Sequence, residues 1–343
     1  MEMSSRERVL AALNREVPDR VPYCELNIDR SFAQKLKGAE AYIGNSALQQ
    51  GNPFSLDEAK ALSENLGLDN IFYLLRQPVY AKSHTGKDGR QFSGNGLIKT
   101  EADFELIDLP DPHKDEFYAE AEKFGKNKGD FALFFLSRMG LAPAMLSMGI
   151  QNFSLALYDN PGLVEKLLDI YFDWMVVVAE RISQLDFDVF ATADDCAFKT
   201  GLMFSPQIFQ DMIVPRYRRV LEKVTLPWVF HSDGNITEVL DMLIDLGVAG
   251  VHPFENTAVD IRTIKRDFGH RICLLGNIDL NILGMGTPEE TTGEVHGLIR
   301  DLAQGGGYIL TSGNSLAEFL KPECVFAMSE AVRKYGRYPI NLV

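Results

Sequence analysis

The chain is short of positive charge: 34 Lys and Arg stand against 48 Asp and Glu, a formal net charge of -14. Such a field repels phosphate backbones and anionic lipid surfaces, so neither nucleic acid nor membrane is an expected partner. Cysteine is scarce. Cys24, Cys196, Cys273 and Cys324 lie far apart with no CxxC pair, which favours reduced buried thiols over a disulfide framework or a cysteine-based zinc site. No apolar stretch approaches the roughly 18 residues that span a membrane. The polar start, Met1 to Arg8, runs straight into a helical pattern, and the expected location is cytoplasmic. A low-complexity linker is also missing, so one domain over residues 1–343 is the economical organisation. Gly305-Gly306-Gly307 precedes a strand pattern instead of opening a helix, so it is not a phosphate-cradling loop.

What the chain does have is a repeated device. Trp228 to Phe230 is an apolar run that ends at His231-Ser232-Asp233-Gly234-Asn235, with a helical pattern following. Val248 to Val251 ends at His252-Pro253-Phe254-Glu255, and Ile272 to Leu275 ends at Gly276-Asn277-Ile278-Asp279. Tyr308 to Leu310 ends at Thr311-Ser312-Gly313-Asn314. Upstream, Phe131 to Leu136 ends at Ser137-Arg138, and Phe187 to Ala191 at Thr192-Ala193-Asp194-Asp195. Short buried-strand signals alternating with helices predict an α/β chain whose strands run parallel. Polar residues gathered at strand ends predict a single (β/α)8 TIM barrel, and the length accommodates one of roughly 250 residues with insertions. Ser4 to Glu7 before Val9 to Leu13 predicts an N-terminal helical extension with a cap, and Tyr23 to Leu26 the first strand. Residues 77–110 predict an inserted β-hairpin, with Asp88-Gly89 as its turn. Pro161 to Leu185 and Pro322 to Tyr335 predict long helices opening on proline.

His231 and Asp233 alternate on an extended tip, so both can face the barrel mouth, as metal ligands or an acid-base pair. The plainer reading is a capping aspartate and a satisfied histidine. Of Asp194 and Asp195 only one is expected to face the pocket; Asp194 is taken as the substrate-positioning one. Glu255 on the same rim would complete a nitrogen and oxygen ligand set with His231 and Asp233, suited to zinc or a harder divalent metal. Arg138 is a candidate for a substrate carboxylate. Asn277 and Asn314 are candidates for positioning substrate, or for satisfying turn backbone.

Three stretches carry a family resemblance. Arg6-Glu7-Arg8-Val9-Leu10-Ala11-Ala12-Leu13 with Pro18-Asp19-Arg20-Val21-Pro22, Leu275-Gly276-Asn277-Ile278-Asp279, and Gly306-Gly307-Tyr308-Ile309-Leu310 with Ala331 to Gly336 resemble the uroporphyrinogen decarboxylase superfamily over nearly the whole chain. The resemblance implies a (β/α)8 barrel and one of two chemistries. True decarboxylases of that family hold tetrapyrrole carboxylates with an Arg-Gln-x-Gly-Arg segment after the first strand and use no cofactor. Here Cys24-Glu25-Leu26-Asn27-Ile28-Asp29-Arg30 stands there, and Glu25 and Asp29 would face the substrate with like charge. The other branch moves methyl groups to or from corrinoid proteins, its thiol-activating members binding zinc through His-x-Cys and a distant Cys. His231 matches the histidine, with Asp233 and Asn314 at the cysteine positions, a harder site than thiolates make.

The expected activity is therefore methyl transfer from a small methylated compound to a corrinoid carried by a partner protein. The substrate itself and a second copy of the chain are the other expected partners. The alternatives are a cofactor-free decarboxylase of a tetrapyrrole or smaller acid, held by Arg138 or Arg30, and a catalytically silent ligand-binding barrel.

Overall fold

The computed structural model describes residues 2–36, 52–85 and 91–341. Eleven strands occur among them: β1 Asn70–Leu74, β2 Ala81–Thr85, β3 Gln91–Gly96, β4 Ala132–Ser137, β5 Val189–Ala193, β6 Ala197–Phe198, β7 Gly201–Leu202, β8 Trp228–His231, β9 Val248–His252, β10 Cys273–Leu275 and β11 Tyr308–Ile309. Seven form one parallel sheet in the order β1-β4-β5-β8-β9-β10-β11, each pairing with its neighbour in sequence order. Every residue of β4 is buried, as expected for a parallel strand covered on both faces. Phe135 and Phe190 stack across β4 and β5 with centroids 5.5 Å apart.

The two edges of this sheet meet the same segment. Leu310 donates its N–H to the Pro22 carbonyl and accepts from Cys24, at 2.9 and 3.0 Å. On the other side Asp69 N–H donates to the Tyr23 carbonyl at 2.7 Å. The Asn70 side chain then bonds both backbone groups of Glu25, at 3.0 and 2.8 Å. The stretch expected as the first strand thus bonds to both edges, by an isolated bridge at Tyr23 and Leu310 and by single hydrogen bonds on the β1 side. Pro22 has no N–H to give, and a side-chain amide replaces part of the ladder. The sheet curls accordingly, in a TIM-barrel-like fold.

Helix Ser5–Leu13 opens with a capping box between Ser4 and Glu7 and buries Val9, Ala12 and Leu13. Helix Pro161–Ile182 buries Leu167, Leu168, Tyr171 and Phe172. The helical stretch that opens at Pro206 is interrupted by a π-turn at Phe209–Ile213 before Val214–Leu221, because Pro215 cannot donate to the preceding turn. β1 was not among the expected strands. β2 and β3 pair antiparallel with a register shift between Ala81 and Ser83; Asp88-Gly89 lies outside the described residues. No helix among the described residues is long and apolar enough to cross a membrane.

Candidate active site

Polar side chains collect at the carboxyl ends of the parallel strands. A cavity of about 430 Å³ opens there, lined by Ala193, Asp195, His231, Asp233 and Asn314 together with Arg76 and Arg138. Leu136, Met145, Leu146, Ile150 and Met203 supply its apolar wall.

Strand alternation decides which residues reach it. On β5, Ala193 and Asp195 face the cavity while Thr192 and Asp194 point behind. On β8, His231 and Asp233 face it, and Ser232 packs behind against Cys196. Asp195, not Asp194, is therefore the carboxylate at the cavity. Asp194 is fully buried and accepts from Leu141 N–H at 3.3 Å, Ala142 N–H at 3.0 Å and the Tyr217 hydroxyl at 3.1 Å. It fastens the first turn of helix Leu141–Met148, whose Ala142 and Met145 line the cavity. Burial pushes its carboxyl up to about 6 against those hydrogen bonds.

The ring of His231 is fixed from behind. His231 Nδ1 lies 2.6 Å from His252 Nδ1, and His252 Nε2 lies 3.2 Å from the Ser312 carbonyl. A carbonyl only accepts, so His252 Nε2 carries a proton. Burial, then the neighbouring His231, push the pKa of His252 well down, so His252 is neutral and its Nδ1 accepts. His231 must then donate from Nδ1, and Nε2 is the ring nitrogen turned to the cavity. That nitrogen lies 3.7 Å from both Asp195 Oδ1 and Asp233 Oδ1. Among the described residues these three are the one group of His, Cys, Asp or Glu whose ligand atoms all lie within 4.8 Å of one another. Tetrahedral ligands at zinc distances stand about 3.4 Å apart, so the donors fit a divalent metal bound by nitrogen and oxygen. Asn314 Nδ2 donates to both oxygens of Asp233, at 2.9 and 2.8 Å, and the Asp233 N–H donates to Asp195 Oδ1 at 3.0 Å. Burial raises the carboxyl of Asp233; His231 opposes this, and Asp195 and Glu255 add to it.

Glu255 does not join the cluster. Gly234 N–H donates to it at 3.3 Å, Thr257 Oγ1 donates at 3.0 Å, and Lys199 Nζ lies 3.4 Å away. It lines an adjoining cavity of about 290 Å³, with Asn277, and Asp233 and Asn314 form the wall between the two. Asn277 is held by donating to the Phe254 carbonyl and Asn256 Oδ1, at 2.6 and 2.5 Å. Glu25 does not face substrate either. It is fully buried behind Leu26, with Ser312 N–H at 2.9 Å and Ser312 Oγ at 2.6 Å, and burial lifts its carboxyl to about 8. The expected repulsion of a substrate by Glu25 does not arise. Arg138 does line the cavity. Its counterpart Arg76 follows β1, where Ile71 to Leu75 ends at Arg76-Gln77; that is the same apolar-run-to-polar-tip pattern, and it is the signal by which Arg76 can be found.

A parallel barrel-like sheet with such a cavity at its strand ends defines a barrel of the enzyme kind. A family model described as "Uroporphyrinogen decarboxylase (URO-D)" matches residues 94–335, and the chain belongs to this family, whose named members are enzymes. Uroporphyrinogen decarboxylase of Methylococcus capsulatus is 26% identical over 258 residues, 70% of each chain. That of Mannheimia succiniciproducens is 22% identical over 365 residues, covering 98% of this chain and 99% of its own. Among solved structures, a methyltransferase from Methanosarcina mazei superposes with a TM-score of 0.75 at 22% identity, covering 97% of this chain and 99% of its own. This last likeness concerns the fold.

Proposed function

We propose that the protein is a methyltransferase that takes a methyl group from a small methylated compound and passes it to a corrinoid carried by a partner protein. The observation that carries this reading is the convergence of His231 Nε2, Asp195 and Asp233 at 3.7 Å spacing. Two carboxylate oxygens and a ring nitrogen turned on one another offer a cation three ligand atoms. In methyl transfer the bond from the methyl carbon to its oxygen or nitrogen breaks with both electrons going to that heteroatom, and the acceptor's own electron pair forms the new bond. The leaving heteroatom therefore needs positive charge beside it. A divalent metal held by His231, Asp195 and Asp233 would supply Lewis acidity there. His252 holds the ring tautomer, Asn314 holds the Asp233 carboxylate, and the apolar wall keeps water from the methyl group.

The first-strand position points the same way. Leu26 and Asn27 line the cavity there, where paired arginines would be needed for a tetrapyrrole bearing many carboxylates. A second reading, cofactor-free decarboxylation of a smaller acid, draws support from the relatives named as decarboxylases and from the cationic Arg138.

Metal content of protein purified without chelators, compared between wild type and His231→Ala, tests the metal site. Methylation of cob(I)alamin from a panel of methyl ethers and methylamines tests the reaction. The expected outcome is near-stoichiometric metal in wild type, lost in His231→Ala, with methyl transfer lost alongside. Metal-free wild type that transfers no methyl group would refute the reading, and carbon dioxide release that survives chelator would favour the decarboxylase.

A further inference from the structure

We infer that Arg76 and Arg138 form an oxyanion subsite in the 430 Å³ cavity, so that the compound bound there carries a carboxylate at the end held by the tips of β1 and β4. The inference rests on the proposed reading only in taking this cavity as the reaction chamber. It names the class of substrate that the chamber admits.

The two guanidiniums come from the ends of adjacent strands, β1 and β4, which pair in parallel register up to Leu74 and Leu136. Both line the same cavity. Among the described residues, neither side chain forms an ion pair with a carboxylate or a hydrogen bond to another side chain, and Arg76 Nε is buried with no hydrogen-bond partner at all. Elsewhere in the molecule buried arginine is answered directly: Arg8 meets Asp19 at 2.6 Å and Asp69 at 2.7 Å. A buried donor without a partner costs stability, and two like charges side by side add to that cost. Burial pushes the Arg76 guanidinium down to about 10, with Arg138 adding to the effect; burial also lowers Arg138, and the charge of Asp195 opposes both shifts only in part. An arrangement this unfavourable alone is the arrangement that an anion would relieve, since planar guanidinium forks match an oxyanion in pairs.

The net charge favours a carboxylate over a dianion. Arg76 and Arg138 are offset within the cavity by Asp195 and Asp233. One carboxylate then adds one negative charge and a dianion two, in a molecule whose formal charge is already -14. The apolar wall of Leu136, Met145, Leu146, Ile150 and Met203 fits a hydrocarbon or aryl body joining the two ends.

The test is equilibrium binding by calorimetry to the whole protein of phenylacetate, phenylacetamide and phenylphosphonate, with Arg76→Gln and Arg138→Gln beside wild type. Phenylacetate should bind wild type at least tenfold more tightly than its amide, and each variant should lose that preference while phenylacetamide affinity stays the same. Arg76→Lys should restore part of it. Thermal melting separates a ligand subsite from a structural role. Without ligand, the Gln variants should melt at the wild-type temperature or up to about 4 °C above it, because a half-buried like-charge pair has been relieved. A structural role predicts lower melting. Phenylacetate with no advantage over its amide, or Gln variants that melt lower and keep the preference, would overturn the subsite. Tighter binding of phenylphosphonate than of phenylacetate would overturn the choice of carboxylate. Binding is read without turnover, so acid selectivity in a protein that transfers no methyl group would remove the methyltransferase reading and leave the subsite standing. Methyl transfer from neutral donors alone would do the reverse.

Discussion

Glu25 shows how far one side chain can depart from its ordinary chemistry. Its carboxyl is fully buried, with only Ser312 to bond, and burial lifts its pKa from 4.5 to about 8. The folded protein therefore keeps a proton that the unfolded chain releases. With the folded value raised, the stabilisation is complete below about pH 4.5 and is lost as pH rises to about 8, at a slope of at most about 1.4 kcal/mol per pH unit from this group. Glu25→Gln keeps the shape and removes the titration. Urea denaturation at several pH values between 5 and 8 should show stability falling less steeply with pH in Glu25→Gln than in wild type. Parallel slopes would mean that the carboxyl is ionised throughout. The same residue connects structure to site: Ser312 accepts from His252, and His252 holds the tautomer of His231.

At the scale of elements, the opening helix is tied to the barrel by charge as well as by Val9, Ala12 and Leu13. Asp69, just before β1 and fully buried, meets Arg8 Nη1 at 2.7 Å and both Arg20 terminal nitrogens at 2.8 Å. The Ser5 hydroxyl and the Tyr23 N–H also donate to it, at 2.8 and 2.9 Å. Asp69 thus joins the helix Ser5–Leu13, the segment around Tyr23 and the first strand of the sheet. Removing Arg8 takes one cation from Asp69, which keeps Arg20, and the bidentate partner from Asp19; losing charge-assisted bonds of this kind costs about 1–3 kcal/mol. Arg8→Met is expected to lose that much in chemical denaturation, while Arg6→Met should lose less, because Arg6 is half exposed and Asp188 keeps Lys128 at 3.0 Å. Equal losses would show that the helix is held by its apolar face alone. The sequence motif of Arg8, Asp19 and Arg20 thereby acquires a physical purpose at the amino end of the strands, away from the chemistry.

For the whole molecule, the alternation of apolar runs with helices made the α/β class and the parallel order of strands legible, because buried parallel strands are continuous hydrophobic runs. Strand ends likewise located His231, Asp233, Asn314 and Arg138. Sequence spacing could not say which of Asp194 and Asp195 faces inward, since that depends on where the pleat of β5 begins. It could not place Glu255 beyond the wall made by Asp233 and Asn314, nor Glu25 behind Leu26, since both depend on how neighbouring strands are staggered. These placements bear on which family chemistry the chain can perform. A tetrapyrrole polycarboxylate would have to enter a cavity of about 430 Å³, near the small end of the roughly 300–1,000 Å³ usual for ligand sites. Among the described residues only Arg76 and Arg138 supply arginine or lysine side chains to its lining, and Asp195 and Asp233 share it. The approach also runs against a net charge of -14, which slows association of a polyanion most strongly at low salt. Uroporphyrinogen is therefore expected to release no carbon dioxide above the rate without protein, and raising ionic strength should not restore activity, because the missing first-strand arginines are a local deficit that screening cannot supply. Turnover of uroporphyrinogen at low salt would overturn the assignment of this cavity to a small acid and favour the decarboxylase.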